Sequence, residues 1–290
     1  MHSIDHIGFA QRQRLQYIES VAYWEGLVGR KRISSVFDVS ENHITQDFSL
    51  YRKAFPDQLD YDVSARSYRP SRKFRPYIGT GSADEYLSLL RTHVEGHSTA
   101  VLSAIGDGIV ATGLPVPKSE IDAAVLREIT RALRQGHGLK IRYQSMSHEA
   151  PRERTLWPHA LVYAGLRWHV RAYDSLRECF GDFVLQRILT AKASKVKCPQ
   201  DTKNDVEWHQ EELVEVIPSA SLSVNQARVI ASEYGMKAIQ NEFVWETTMK
   251  RCLVPYFLYW LRLDKDAHSP FIALKNPSLA ERYKIGGEVS

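Results

Sequence analysis

Residues 139–188 constrain the fold of this 290-residue chain more than any other stretch, because apolar and polar residues alternate along them. Side chains of a strand point to opposite faces in turn, so this alternation predicts strands. Between Arg167 and Tyr173 every second residue is Arg, His or Tyr, and the residues between them are apolar. The pattern predicts a small, strongly bent antiparallel sheet or barrel, with one apolar face and one basic, aromatic face that suits an anion or a nucleotide.

Four motifs in this stretch resemble the WYL domain. They are Tyr-x-Ser at Tyr143, Trp-Pro-His at Trp157, Gly-x-Arg-Trp-His-Val-x-Ala-Tyr-Asp from Gly165 and Phe-x-Leu-x-Arg-Ile from Phe183. The Trp-Tyr-Leu tripeptide that names the family corresponds to residues 168–170, where this chain has Trp-His-Val. WYL domains are Sm-like barrels that sense ligands, usually behind an N-terminal winged helix-turn-helix. The resemblance therefore implies a Sm-like β-barrel with a ligand site.

The resemblance places ligand contacts at polar residues of these motifs, namely Tyr143, Ser145, His159, His169, Arg171, Tyr173 and Arg187. Arginine offers a planar fork of donors to a phosphate or carboxylate, and His and Tyr add directional hydrogen bonds. Arg171 and Arg187 are the main candidates, since an inward guanidinium without an anionic partner is costly. Tyr143 and His159 have an alternative role, which is to satisfy the polar groups of buried strands.

The N-terminal 54 residues carry three segments with helical spacing of apolar residues, at 11–27, 31–37 and 41–54. Ser40 is a good N-cap for the third helix, and Pro56 stops it. The outer face of this helix bears short polar side chains rather than a ladder of Glu and Lys, and it comprises Asn42, His43, Thr45, Gln46, Ser49 and Lys53. Such side chains read base edges in a major groove, so the order of elements predicts a helix-turn-helix. The alternative is a generic three-helix bundle with a polar outer face.

A basic hairpin follows the third helix. Residues 59–62 and 67–70 read as two strands, and five basic residues without an acidic one lie between Arg66 and Arg75. A basic wing beside a recognition helix can contact phosphates or the minor groove. The candidate phosphate contacts are Arg66, Arg69, Arg72 and Lys73 in the wing and Arg30, Lys31 and Arg32 at the start of the second helix. For each one, the alternative is a solvated surface charge.

The remaining segments predict a linker and a C-terminal domain. His93 and His97 stand four residues apart, but a zinc-protease helix has a Glu directly after the first His, and this chain has Val94 there. We therefore expect no metal site. Ser119 is the expected cap of a helix that ends at Gly136. Strands at 214–217 and 243–247 alternate with helices at 223–235 and 249–261, which resembles the C-terminal extension that WYL proteins use for dimer contacts.

These observations predict an α+β chain of four parts: a winged helix-turn-helix at 1–80, a helical linker at 81–118, a WYL domain at 119–200 and a small α/β dimerisation domain at 201–290. The net charge of +4 divides into +3 in residues 1–80, +4 in 81–200 and −3 in 201–290. A basic front suits contact with nucleic acid. Three widely spaced cysteines argue against disulfides and fit the cytoplasm, and no apolar run is long enough to span a bilayer.

The predicted function is a ligand-responsive, homodimeric transcription regulator on an inverted-repeat operator of double-stranded DNA. The layout resembles WYL regulators encoded beside bacterial anti-phage defence systems, which generally act as repressors. We expect no cofactor and no catalytic residue, but an anionic effector such as a nucleotide or nucleic-acid fragment. Arg171→Ala is expected to spare DNA binding and blunt the effector response. The alternative is an enzyme that processes nucleic acid or nucleotides on the basic face, although the sequence shows no acidic cluster for two metals and no nucleophile–base motif.

Overall fold

A computed structural model describes residues 6–94, 110–115, 120–165 and 167–283, except for the side chains of Leu89 and His93. The chain divides into two compact units, Met1–Val116 and Pro117–Ser290. None of the described helices combines the length and the apolar character needed to cross a bilayer. The predicted cap at Ser119 and the side chains of His93 and His97 lie outside the described residues.

The first unit has the helix-turn-helix order that the sequence predicts. Its elements are α1 (Phe9–Glu25), α2 (Arg30–Phe37), α3 (Glu41–Ala54), β1 (Leu59–Asp62), β2 (Ser67–Pro70) and α4 (Ala83–Val94). Helix α1 ends at Gly26, whose φ of 74° places it in the left-handed region that favours glycine. The Ser40 hydroxyl accepts from the His43 amide at the start of α3, which confirms the predicted cap.

The core of this unit fixes α3 against α1. Ile44, Phe48 and Tyr51 are fully or almost fully buried, and they pack in one apolar cluster with residues of α1 and α2. On the same side of α3, the buried Asp47 carboxylate accepts hydrogen bonds from Gln11 and Arg14 of α1. Burial of Asp47 is tolerated because both of its oxygens are paired, and the pairs hold α3 in one orientation.

A second buried carboxylate, Glu19, fastens the segment that follows the wing. Its oxygens accept from the Tyr51 hydroxyl at 2.8 Å and from the backbone amides of Tyr77, Ile78 and Gly79 at 2.8–2.9 Å. Strands β1 and β2 pair antiparallel with Leu59 opposite Pro70, and a bridge joins Val28 to Tyr68 of β2. The wing is therefore attached both to the segment before α2 and, through the residues that follow it, to α1.

The second unit begins with α5 and a five-stranded antiparallel sheet. The elements are α5 (Ala123–Gln135), β3 (Gly138–Tyr143), β4 (Arg152–Tyr163), β5 (Trp168–Asp174), β6 (Cys179–Val184) and β7 (Ile188–Ser194). The strand order is β6-β5-β4-β3-β7. The edge strands β6 and β7 are not paired with each other, so the predicted closed Sm-like barrel is not confirmed. Apolar residues of α5, among them Val125 and Ile129, cover one face of the sheet.

The C-terminal part of this unit is a second mixed layer. Its elements are α6 (Val206–His209), β8 (Glu211–Pro218), α7 (Val224–Glu233), β9 (Lys237–Ile239), β10 (Glu242–Lys250), α8 (Val254–Trp260), β11 (Ile272–Leu274) and α9 (Ser278–Arg282). The strand order is β11-β8-β10-β9. Ser223 and Gln226 form a capping box at the start of α7. Val214, Val216, Val254 and Leu258 form the centre of its core.

Two predicted boundaries in this unit are wrong. Helix α5 begins at Ala123, later than predicted, because the Asp122 carboxylate accepts from the Ala124 amide and caps the helix there. The predicted helix at 249–261 begins only at Val254. Residues up to Lys250 extend β10 by pairing with β8, as in the pair Lys250–Glu211, and cross-strand pairing overrides the helical spacing there.

Candidate DNA-binding face and candidate ligand site

Helix α3 turns its polar face to solvent, as the sequence predicts. The exposed residues are Asn42, His43, Thr45, Gln46, Ser49 and Lys53, with Ser40 exposed at the cap. The hydroxyls of Thr45 and Ser49 donate to backbone carbonyls one turn earlier, at 2.9 Å each. The amides of Asn42 and Gln46 carry both donors and acceptors on this face, which makes them the side chains best suited to base edges. Their contact with DNA stays a prediction.

The predicted phosphate contacts differ in how far internal acidic partners hold them. Arg66 and Arg72 are exposed at and after the wing. Arg69 donates to Asp62 across the wing, and Lys73 lies 3.7 Å from Asp57 with both side chains largely exposed. Such exposed pairs are weak and leave the cation available to DNA.

The three basic residues at the start of α2 also differ in how strongly they are bound within the protein. Arg32 is bound internally, because it donates to both Glu25 oxygens and, at 3.0 Å, to the Tyr17 hydroxyl. Arg30 donates to the Thr45 hydroxyl at 3.4 Å, and Lys31 is exposed. We therefore expect Arg32 to support α2 rather than to contact phosphate.

On the polar face of β5, Arg171 is the centre of a buried ionic cluster. Its Nε and Nη2 donate to the two oxygens of Asp205, each at 2.7 Å, and its Nη1 donates to Asp182 at 3.2 Å. All three side chains are no more than 3% exposed. Asp182 lies opposite Arg171 on β6, whereas Asp205 comes from the segment before α6. The anionic partners that an inward Arg171 requires are thus supplied by the chain itself.

His159 completes the cluster through an irregularity in β4. The pairing with β5 passes from Pro158 opposite Ala172 directly to Ala160 opposite Arg171, so His159 is the extra residue of a bulge. A bulge re-aims the side chain that it carries. The His159 Nε2 lies 2.8 Å from Asp205 Oδ2, and in this contact the imidazole donates to the carboxylate.

The electrostatics of the cluster follow from these contacts. Burial disfavours the charged form of Asp205, but hydrogen bonds from His159 and Arg171 more than compensate and lower its pKa to about 2. Burial raises the pKa of Asp182 even though Arg171 opposes the shift. The Tyr256 hydroxyl of α8 donates to Asp182 at 3.3 Å, and burial followed by Asp182 raises its pKa. Arg171 thus connects the segment before α6 to the five-stranded sheet, and Asp182 connects α8 to the same sheet.

A cavity of about 390 Å³ opens beside this cluster. Arg171 and Asp205 form part of its wall, and Tyr173 and Phe180 supply aromatic surface, with their ring centroids 5.2 Å apart. The carboxylates of Glu178 and Glu207 also line it, so acidic groups outnumber the one guanidinium. The cavity has the size of a small-molecule site, but its charge in this state is not that of an open anion site.

The other predicted ligand residues lie in different surroundings. His169 is buried with its ring 5.0 Å from that of Tyr256, and burial followed by Arg167 and Arg187 lowers its pKa to about 4. The imidazole is therefore neutral at pH 7. The structure brings Arg171 and Tyr173 together at one cavity, with His159 joined to Arg171 through Asp205. It places Arg187 near enough to His169 to affect the His169 pKa.

Tyr143 and Ser145 are buried at the end of β3. Tyr143 belongs to the apolar core, where its hydroxyl accepts from the Val184 amide at 3.3 Å. Ser145 forms a hydrogen bond with the Ser147 hydroxyl at 3.2 Å. For Tyr143 these contacts match the alternative role of satisfying a buried strand, and its ligand role stays a prediction.

The sequence analysis missed the acidic half of the cluster. Asp182 lies on the alternation of β6, facing the same side as Phe180, and this spacing could have identified it as a cross-strand partner. Asp205 has the sequence signal of a helix cap before Val206, but nothing local indicates its contact with Arg171, which lies 34 residues earlier. Across the described residues, no three His, Cys, Asp or Glu side chains form a group that could hold a metal ion.

Comparisons with known proteins match three domains along the chain. Residues 10–92 match the BrxR transcriptional regulator winged helix-turn-helix domain, residues 124–193 the WYL domain, and residues 211–280 the BrxR transcriptional regulator C-terminal dimerization domain.

Individual relatives cover most of the chain. A DNA-binding transcriptional repressor CapW of Stenotrophomonas maltophilia is 32% identical over 231 residues, which are 79% of this chain and 77% of the relative. A DNA-binding transcriptional repressor CapW of Escherichia coli (strain KTE188) is 31% identical over 257 residues, which are 89% of this chain and 84% of the relative. The solved structure of proteasome accessory factor B/C of Arthrobacter aurescens is 14% identical with a TM-score of 0.27, and the match covers 94% of this chain and 52% of that one. The chain therefore belongs to the WYL-domain transcriptional regulators with BrxR-type winged-helix and C-terminal dimerization domains, the family that includes the CapW repressors.

Proposed function

We propose that this protein is a homodimeric, DNA-binding transcriptional repressor whose affinity for its operator changes when a small anionic effector binds. The observation that carries the proposal is the exposed polar face of α3, held rigid by its buried opposite face and flanked in sequence by a basic wing. The relatives named as DNA-binding repressors support it, because their alignments cover 79% and 89% of this chain.

Each protomer is proposed to read one half-site of an inverted repeat. The N-terminal end of α3, with Asn42 and Gln46, would enter the major groove, while Arg66 and Arg72 contact phosphates. A two-fold dimer places equivalent recognition helices on one face of the duplex, so half-site centres would lie roughly 34 Å or a multiple of that distance apart.

An exposed aromatic patch favours the homodimer. Tyr163, Trp168, Tyr259 and Trp260 are 43–69% exposed, although they are large apolar side chains. Trp168 packs on Tyr163 at the tip of the β4–β5 hairpin, and Gly165 of that tip lies against Trp260 of α8. Contiguous exposed aromatics mark interfaces, and this patch includes residues of the domain that matches the dimerization model. A second copy of the chain is the proposed occupant.

The effector is proposed to act at the site around Arg171 and His159. A guanidinium fork beside an imidazole recognises a phosphate or carboxylate, and a cavity of about 390 Å³ leaves room for the rest of a nucleotide-sized molecule. Such a ligand shifts DNA binding only if it binds one dimer geometry more tightly than the other. By resemblance to other WYL regulators, the regulated genes would belong to an anti-phage defence operon.

The test compares binding with turnover. Full-length protein is mixed with a duplex from its own upstream region and with a scrambled duplex, and gel shifts are recorded with increasing salt. We expect selective binding of the first duplex and no cleavage of either in the presence of magnesium. Equal affinity for both duplexes, or metal-dependent cutting, would overturn the proposal, and cutting would favour the nucleic-acid-processing enzyme.

A further inference from the structure

We propose that Asp205 is an internal ligand of the WYL site, and that an anionic effector binds by replacing its carboxylate on Arg171 and His159. The inference rests on the proposed function, which takes this site as the effector site. It adds the identity of the group that holds the site closed and the route by which opening reaches the C-terminal domain.

The geometry of the contact is that of a bound anion. Both oxygens of Asp205 lie 2.7 Å from the Arg171 nitrogens Nε and Nη2, which is a bidentate pair, and Oδ2 also lies 2.8 Å from His159 Nε2. The remaining Nη1 of Arg171 donates to Asp182. These donors are the ones that a phosphate or carboxylate of an effector would need. An effector therefore competes with a carboxylate that is already in place. The apparent affinity of the protein for the effector is its intrinsic affinity multiplied by the fraction of molecules in which Asp205 has left Arg171.

The position of Asp205 in the chain allows it to leave. It precedes the four-residue helix α6, and all of its neighbours from Asp201 to Glu207 are exposed. Within this segment the Asp205 carboxylate also accepts from the Trp208 amide at 3.2 Å, and among the described residues the Asp205 backbone bonds only to neighbours of the same segment, Thr202, Trp208 and His209. The cavity beside Arg171 is lined by the same segment, through Asn204, Val206 and Glu207. Movement of one short exposed segment would both free the guanidinium and widen the cavity.

The same segment is fastened to the C-terminal sheet. Lys250, at the end of β10, donates to the Trp208 carbonyl at 3.0 Å and lies 4.5 Å from the centre of the Trp208 ring. The Arg251 amide donates to the Gln210 carbonyl at 3.0 Å. Loss of Asp205 from the site would thus change how α6 packs against β10, a strand of the region that matches the dimerization model. Arg171 would transmit the presence of an effector through packed, hydrogen-bonded groups.

The decisive experiment uses Asp205→Asn, with Asp201→Asn as the matched control. Asparagine keeps the size and the helix-capping ability of Asp205 but loses the charge that competes with an effector. Asp201 lies in the same segment, is exposed and also caps a short helical turn, so its substitution makes the same change in net charge. The test ligand is a 5′-phosphorylated thymidine trinucleotide, and binding to the full-length proteins is measured by calorimetry at low salt.

We expect Asp205→Asn to bind the trinucleotide about tenfold more tightly than wild type, while Asp201→Asn stays within about twofold of wild type. Equal affinity of the two variants would overturn the inference. If wild type selects its operator but the two variants bind the trinucleotide with equal affinity, only the proposed role of Asp205 is contradicted. If wild type shows no operator selectivity, the proposed function fails, and the inference fails with it.

A second measurement uses the wild-type chain and so does not depend on how well Asp205→Asn folds. Titration with the trinucleotide is followed by tryptophan fluorescence in wild type and in Trp208→Phe. Because displaced Asp205 carries α6 with it, we expect a change in wild type that is largely lost in Trp208→Phe. The same change in both proteins would contradict the displacement of this segment.

Discussion

The guanidinium of Arg171 holds the carboxylate of Asp205 by two hydrogen bonds of 2.7 Å, with both side chains almost fully buried. The pair joins the WYL sheet to the segment that leads into the C-terminal domain. Arg171, which the sequence predicts as a ligand contact, therefore also supports the fold.

Replacement of Arg171 should therefore destabilise the protein. Arg171→Met leaves Asp205 and Asp182 buried without their cation, which costs about 3–5 kcal/mol of unfolding free energy. The measurement is urea unfolding at pH 7. The sequence-based expectation that Arg171→Ala spares DNA binding stays a prediction, but it applies only to the fraction of that variant that folds.

The double variant Arg171→Met/Asp205→Asn is the control for this prediction. It removes one of the two stranded charges, so we expect it to recover about 1–2 kcal/mol relative to Arg171→Met. If the loss of unfolding free energy in the double variant equals the sum of the losses in Arg171→Met and Asp205→Asn, the direct pairing is contradicted.

Stability should fall in mild acid because of His169. Burial, with Arg167 and Arg187 nearby, lowers its pKa from the ordinary 6.5 to about 4. Between pH 6.5 and 4 the unfolded chain binds a proton at this position and the native chain does not, so the stability is present above pH 6.5 and decreases as the pH falls towards 4. The size of the effect is on the order of 3 kcal/mol.

His169→Phe tests this pH dependence. It removes the titrating group and keeps an aromatic ring beside Tyr256. The change in urea midpoint between pH 7 and pH 5 should be smaller in the variant than in wild type. Identical changes would show that His169 does not govern this range.

Gln46→Ala should weaken discrimination among DNA sequences. The exposed amide of Gln46 can form a bidentate pair with adenine, and loss of one such pair lowers the ratio of operator to non-specific affinity by roughly tenfold. Ser49→Ala is the matched control, since the Ser49 hydroxyl already donates to the Thr45 carbonyl and should contribute less. An unchanged ratio in Gln46→Ala would mean that the recognition face lies elsewhere.

Arg72→Ala should weaken binding to all duplexes alike. An exposed cation that contacts one phosphate contributes about one unit to the slope of log affinity against log salt, so the slope should flatten by about one. Arg32→Ala provides the contrast, because Arg32 is held by Glu25 and Tyr17 and should alter stability more than the salt slope. A slope unaffected by Arg72→Ala would exclude this phosphate contact.

Trp260→Ala should weaken the dimer. Trp260 is 69% exposed in the single chain and belongs to the aromatic patch of Tyr163, Trp168 and Tyr259. Removal of a central aromatic from an interface typically costs 2 kcal/mol or more, roughly a thirtyfold weaker dimer. Sedimentation of dilute protein measures this change, with Phe271→Ala, another half-exposed aromatic of the same unit, as the control. Equal effects of the two substitutions would remove the patch from the interface.

The parts of the fold that the sequence could predict are those set by local rules. The bounds of α3, its cap at Ser40 and both wing strands are confirmed, because helix spacing, capping chemistry and alternation act within a few residues. The end of α5 at Gly136 is confirmed for the same reason, since only its left-handed backbone is needed there.

The parts that could not be predicted depend on contacts distant in sequence. The bulge at His159 appears only in the register of β4 against β5, and the partner of Arg171 comes from beyond the WYL sheet. Closure of the barrel is likewise a matter of whether two edge strands meet, which alternation along each strand does not determine. The ionic cluster therefore required the structure, although the inward position of Arg171 was predicted from the sequence.

Selection of duplexes from a randomised library by the full-length protein tests the central claim most directly. If α3 reads DNA in a two-fold dimer, sequencing of the bound fraction should show an inverted repeat with half-site centres about 34 Å apart or a multiple of that distance, and Gln46→Ala should blur both half-sites equally. A bound fraction without an enriched repeat, or an enriched repeat that Gln46→Ala leaves unchanged, would contradict the claim.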